Sequence, residues 1–173
     1  VYFFKVEVPP NAMKTVYDFH LQSLDGAPLP LSQFVGRPMV VVNTASQCVF
    51  TPQYRGLQKM CEDFGSAGLV VLGVPSDDFG GQEPGASDQI ATFCTQNYGV
   101  TFPLTTKRHV RGPNADPLFR WLGAQGGFFA RPRWNFYKYL IGRDGHLRTW
   151  FGAITDPQSG RFQRAVRGLL AEK

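Results

Sequence analysis

Pro38-Met39-Val40-Val41-Val42-Asn43-Thr44-Ala45-Ser46-Gln47-Cys48 is the stretch on which the fold turns. Its first half is short, continuous and β-branched, the pattern of a strand buried on both faces, as in a parallel sheet. Its second half becomes polar and reaches a cysteine just before Thr51-Pro52, an N-cap residue followed by Pro at the first helical position. Leu57, Met60, Cys61 and Phe64 then recur at three- and four-residue spacing, which predicts an amphipathic helix ending near Gly65.

Working outward, Leu69 to Val74 repeats the buried-strand pattern, and Ser87-Asp88 opens a second helix carrying Ile90, Phe93, Cys94 and Tyr98 that Gly99 stops. Asp116-Pro117 starts a third helix with Leu118, Phe119, Trp121 and Leu122. Phe136 to Ile141, the Asp144-Gly145 turn and Leu147 to Phe151 read as strand, turn and strand, and Phe162 to Leu170 closes the chain as a helix. On the other side, Val16 to Leu21 runs towards an Asp25-Gly26 turn and predicts an N-terminal β-hairpin over a sheet edge. Strands alternating with helices give an α/β fold, a central mixed sheet covered by helices on both faces. There is no internal repeat and no low-complexity tract.

With 173 residues and 43% hydrophobic content, the chain suits one domain, residues 13–173. Residues 1–12 lack the cationic start and apolar centre of a secretory signal, and Met13-Lys14 reads as a natural start, so 1–12 is expected to be an appended or precursor-derived segment. No run approaches the roughly 18 to 20 apolar residues of a bilayer-spanning helix, which predicts a soluble, non-membrane protein. The net charge of +5 comes from scattered Lys and Arg, a solvated basic surface that speaks against nucleic-acid binding; Arg131, Arg133 and Lys138 form the one local cluster. Three cysteines cannot all pair, which favours functional thiols in a reducing compartment such as the cytoplasm. Without Cys-x-x-Cys, and with His20, His109 and His146 isolated, no metal site is expected.

Cys48 lies between a buried strand and a helix start, where unpaired N–H groups and the positive helix end favour the nucleophilic thiolate. Position alone leaves a buried structural cysteine equally open; the neighbours Asn43, Thr44, Ser46 and Gln47 tilt the reading towards chemistry. Gly80-Gly81 permits a close backbone approach, and Gln82 after it can aim an amide donor at a developing oxyanion. Trp134 and Asn135 carry an indole N–H and a carboxamide that can donate to a thiolate or a peroxide oxygen, although for a single Trp core packing is the commoner role.

Together these stretches resemble the glutathione peroxidase family. The match runs over Asn43 to Cys48 with Phe50 to Tyr54, Phe79 to Gly85, Phe93-Cys94 with Asn97 to Pro103, and Trp134-Asn135-Phe136 with Asp144-Gly145, in family order from about Val16 to Leu170. The resemblance implies a thioredoxin-like fold and a catalytic tetrad of Cys48, Gln82, Trp134 and Asn135. It implies a peroxidase that needs no cofactor beyond an external thiol: the cysteine attacks a hydroperoxide, leaving a sulfenic acid and an alcohol or water. The context of Cys94 resembles the resolving position of thioredoxin-dependent, non-selenium members, so Cys94 is expected to form a disulfide with Cys48 that thioredoxin reduces. Glutathione as donor, or a peroxide sensor that passes its oxidation to a partner protein, are the alternatives. Cys61 is expected to be inert core.

Two departures stand out: Ser76-Asp77-Asp78 replaces a common Cys-Asn-Gln, and Val49 replaces a common glycine. The short segment between Leu122 and Trp134 resembles that of monomeric members with an open active-site face. Arg131, Arg133 and Lys138 beside that face are expected to receive lipid hydroperoxides, including those at a membrane surface, or an acidic redoxin.

Overall fold

The computed structural model describes residues 15–173, so the expectations for 1–12 and for Met13-Lys14 lie outside the described residues. A hairpin comes first, β1 (His20–Gln22) against β2 (Pro28–Pro30), antiparallel and separate from the main sheet. The main sheet is built from β3 (Met39–Thr44), β4 (Val70–Pro75), β5 (Lys138–Ile141) and β6 (Leu147–Phe151), in the order β4-β3-β5-β6. Helix α1 (Gln53–Phe64) links the parallel pair β3 and β4. α2 (Ser87–Tyr98) and α3 (Pro117–Gly126) precede the β5–β6 hairpin, whose strand β5 is antiparallel to β3, and α4 (Gly160–Ala171) ends the chain. This mixed sheet between helices is a thioredoxin-like fold.

Strand periodicity divides the core in two, because successive side chains point to opposite faces. Met39, Val41, Leu72, Tyr139 and Ile141 pack under α3 and the N-terminal hairpin. Val40, Val42, Val71 and Leu140 pack under α1, α2 and α4 through Leu57, Met60, Ile90, Phe162 and Val166. β3 and β4 are buried at every position, as their continuous apolar runs require.

Some helix ends follow local chemistry and the start of α1 does not. Asp116 caps α3 by accepting the Leu118 N–H at 2.9 Å, and Gly99 ends α2 with φ +59°. At α1, Thr51 does not cap: the helix begins after Pro52, and the Thr51 hydroxyl is engaged beside Cys48 instead. Trp134 and Asn135 do not begin a strand either. They lie in a bend before β5 that ends at Phe136, whose φ of +64° is strained for a bulky side chain by about 1 to 3 kcal/mol.

Candidate active site

The sheet delivers Cys48 at the carboxyl end of β3, in a loop closed by its own hydrogen bonds. The Cys48 N–H donates to Thr51 Oγ1 at 2.9 Å, the Thr51 hydroxyl donates to the Ala45 carbonyl at 2.8 Å, and the Thr51 N–H returns to the Cys48 carbonyl at 3.0 Å. The Phe50 N–H donates to Cys48 Sγ at 3.4 Å, a backbone donor aimed at the sulfur. Cys48 is 7% exposed, so little of it meets solvent.

Gln82 approaches through its backbone as well as its side chain. Gly80 and Gly81 both adopt positive φ, +69° and +61°, which turns the chain so that the Gln82 carbonyl accepts the Gln47 N–H at 3.0 Å. The Gln82 side-chain carbonyl accepts from Asn135 Nδ2 at 3.0 Å, joining residues 53 apart in sequence. Asn135 is fully buried and its Oδ1 has no hydrogen-bond partner. Trp134, half-buried, packs on Phe79 with ring centroids 5.9 Å apart. Gln82 and Asn135 are thus brought together, and Gln82 is tied to the neighbour of Cys48. No side chain of Gln82, Trp134 or Asn135 hydrogen-bonds to the Cys48 sulfur itself.

Several residues hold this site in ways the sequence reading did not assign. Asn43, at the end of β3, clamps the Trp134 bend: its Nδ2 donates to the Trp134 carbonyl at 2.9 Å, and its Oδ1 accepts the Tyr137 N–H at 3.0 Å. A polar residue closing an apolar strand was the available signal. Glu83 is fully buried; the Ser46 hydroxyl donates to its Oε1 at 2.5 Å, which ties the Cys48 loop to the Gln82 loop. Burial raises the Glu83 carboxyl above the usual range against the opposing Ser46 hydrogen bond. In the departing Ser76-Asp77-Asp78 segment, Asp77 accepts the Glu83 N–H at 2.9 Å and Asp78 accepts the Val110 N–H at 2.6 Å, so these carboxylates brace the loop.

Cys94 sits inside α2, 1% exposed, and makes no disulfide. Burial pushes its thiol up to about 11; the nearby Tyr54 hydroxyl opposes the rise and the Glu83 carboxylate adds to it. Cys61, on α1, is partly buried.

Arg131 and Arg133 are exposed, and Arg133 lies 4.8 Å over the ring of Phe129 and 5.2 Å over that of Phe128, both of them exposed. Lys138 does not join them. It is 0% exposed, because β5 is an inner strand with β3 and β6 on its two sides, so its place in a surface cluster is corrected. Among the described residues, no group of three or more His, Cys, Asp or Glu side chains could hold a metal.

Comparisons with known proteins agree with this architecture. The family model described as Glutathione peroxidase matches residues 16–123. The chain is 47% identical over 155 residues to the hydroperoxy fatty acid reductase gpx1 of Synechocystis sp., spanning 85% of this chain and 92% of that protein. It is 42% identical over 148 residues to the glutathione peroxidase-like peroxiredoxin gpx1 of Schizosaccharomyces pombe, spanning 84% and 94%. The crystal structure of Trgpx in apo form superposes with a TM-score of 0.75 at 32% identity, covering 92% of this chain and 97% of that one. The chain belongs to the glutathione peroxidase family, and it is a thiol peroxidase that reduces hydroperoxides.

Proposed function

We propose that Cys48, Gln82, Trp134 and Asn135 form the reacting tetrad and that Cys94 resolves the oxidised enzyme for thioredoxin. The observation that carries this reading is the Phe50 N–H on Cys48 Sγ, in a loop tied to the Gln82–Asn135 pair. The Cys48 thiolate attacks one peroxide oxygen and the O–O bond breaks; with one proton taken up, the products are Cys48 sulfenic acid and an alcohol or water. The Cys94 thiolate then attacks the Cys48 sulfur and the S–O bond breaks; with one proton taken up, the oxygen leaves as water and a disulfide remains. A thioredoxin dithiol reduces that disulfide and becomes oxidised in turn. The electrons come from this external thiol, with no prosthetic group. Because Cys94 is buried inside α2, that helix opens before the disulfide forms.

The substrate reading extends to hydroperoxides with an acyl chain. Val49 and Ile154, 79% and 86% exposed, rim an open groove of about 530 Å3 with Phe50 and Pro52, and Arg55 and Lys59 lie on the same groove. An apolar rim with two cations, against the single carboxylate of Asp156 on the same groove, suits a fatty acyl hydroperoxide with a carboxylate, and the Synechocystis relative is named for hydroperoxy fatty acids. Arg131 and Arg133 supply a basic surface for an acidic redoxin or for lipid hydroperoxides at a membrane surface. Among the described residues no helix is long and apolar enough to cross a membrane. A monomer in the cytoplasm or a similarly reducing compartment fits the three free thiols and the short segment after α3.

The test is peroxide consumption driven by thioredoxin, in parallel with glutathione, for wild type, Cys48→Ser and Cys94→Ser. Turnover with thioredoxin that both variants lose supports the reading. The raised, buried Cys94 thiol favours one alternative, direct reduction of the Cys48 sulfenic acid by glutathione. Full activity of Cys94→Ser with glutathione would establish that route.

A further inference from the structure

Lys138 has no part in the reaction written above, yet it is a cation in the core. Among the described residues, no carboxylate forms a salt bridge with it. An unpaired buried charge is costly, and a core of this kind would ordinarily carry an apolar residue at an inner strand position. What Lys138 touches explains why it is there. Its ammonium donates to the Phe136 carbonyl at 2.6 Å and to Gln53 Oε1 at 2.8 Å, while Gln53 Nε2 donates to the Ala153 carbonyl at 2.6 Å.

Phe136 is the residue at positive φ that follows Trp134 and Asn135, and Gln53 is the first residue of α1, directly behind the Cys48 loop. The Phe136 N–H is already held by the Asn43 carbonyl at 2.6 Å. The strained peptide is therefore gripped on its N–H side from β3 and on its carbonyl side from Lys138. We propose that Lys138 is a positioning residue for peroxide reduction: its ammonium fixes the Phe136 carbonyl and Gln53, and thereby fixes the Trp134–Asn135 bend relative to the start of α1 and Cys48.

A charged donor makes a stronger hydrogen bond to a carbonyl than a neutral one, and three donor positions let one group serve both acceptors. Burial lowers its pKa to about 7, with Asp156 opposing, so the charged form that makes these bonds is the one held below about pH 7. The inference rests on the reading of Trp134 and Asn135 as reacting groups, so its test must separate the two.

The experiment measures the half-reactions apart: the single-turnover oxidation of Cys48 by hydrogen peroxide, followed by thiol alkylation and mass, and the reduction of the oxidised enzyme by thioredoxin. Lys138→Met keeps most of the length of the side chain and removes both hydrogen bonds. It is expected to slow Cys48 oxidation about tenfold or more, as small misplacements of reacting groups do, while reduction by thioredoxin stays within about twofold. Lys138→Gln, which retains a donor, should fall between the two, and it carries the same comparison if Lys138→Met does not fold. Oxidation at the wild-type rate, or an equal fall in both half-reactions, overturns the positioning role. Asn135→Ala and Trp134→Phe are run alongside. If they slow oxidation and Lys138→Met does not, only the role of Lys138 is lost; if Asn135→Ala oxidises at full rate, the tetrad reading fails and this inference with it.

Discussion

Thr51 shows how much one hydroxyl can settle at the residue scale. It accepts from the Cys48 N–H and donates to the Ala45 carbonyl, both buried bonds. Thr51→Val keeps the shape and leaves two buried backbone groups unpaired, at about 1 to 3 kcal/mol each. The second-order rate constant for peroxide should fall by about tenfold, and Thr51→Ser should restore most of it; an unchanged rate for Thr51→Val would mean that the loop holds Cys48 without this bond. Glu83 acts on the other cysteine. Its carboxylate helps to raise the Cys94 thiol, so Glu83→Gln, which keeps an acceptor for Ser46, should shift Cys94 alkylation to lower pH. Alkylation followed against pH checks this directly.

At the scale of elements, α2 is the helix best suited to open. Only Ile90 and Cys94 of its 12 residues are buried, whereas α1 buries six of 12. Beneath it the Tyr54 hydroxyl, Thr44 Oγ1 and Glu83 Oε2 are buried, so the underlying core is partly polar. Few apolar contacts mean a low local opening free energy. Hydrogen exchange of the reduced protein should show α2 amides exchanging about tenfold or more faster than those of α1. Ile90→Ala removes one of the two anchors, at about 2 to 5 kcal/mol. Peroxide-driven disulfide formation should then speed up even as the melting temperature falls. Slower disulfide formation in Ile90→Ala would mean that α2 does not gate the step.

For the whole molecule, Lys138 couples stability to pH. Its folded pKa, about 7, lies below the usual lysine value of 10.5 because of burial, with Asp156 the charged group facing it. Between these values the unfolded chain binds the proton and the folded chain does not, so stability rises with pH in that window. The slope approaches about 1.4 kcal/mol per pH unit for one full proton. Denaturant unfolding at pH 7 and pH 9 should show wild type gaining stability relative to Lys138→Met across that interval, which ends before the raised Cys94 thiol titrates. Equal pH dependence in the two proteins would mean that the ammonium is not held as the packing implies.

The same residues separate what local sequence decides from what only the assembled fold decides. The buried runs at β3 and β4, the Asp116 cap and the Gly99 stop are fixed by groups a few residues apart, so their patterns predicted the elements correctly. The motifs around Cys48, Gln82 and Trp134 carried the family in the same way. Hydrogen bonds across the fold obey no local pattern. Thr51 is an ordinary N-cap residue by its neighbours, but the Cys48 N–H is there to take its hydroxyl, and the helix starts later. The carboxamide of Asn135 meets Gln82 across 53 residues of chain. Lys138 reads as surface charge beside Arg131 and Arg133, because sequence shows charge but not cover. By itself the sequence determined the strands, the helices and the family, and it singled out Cys48 as the candidate sulfur. The tertiary structure decided which polar groups are buried against that sulfur's supports, since burial depends on strand order and on helices packed from distant parts of the chain.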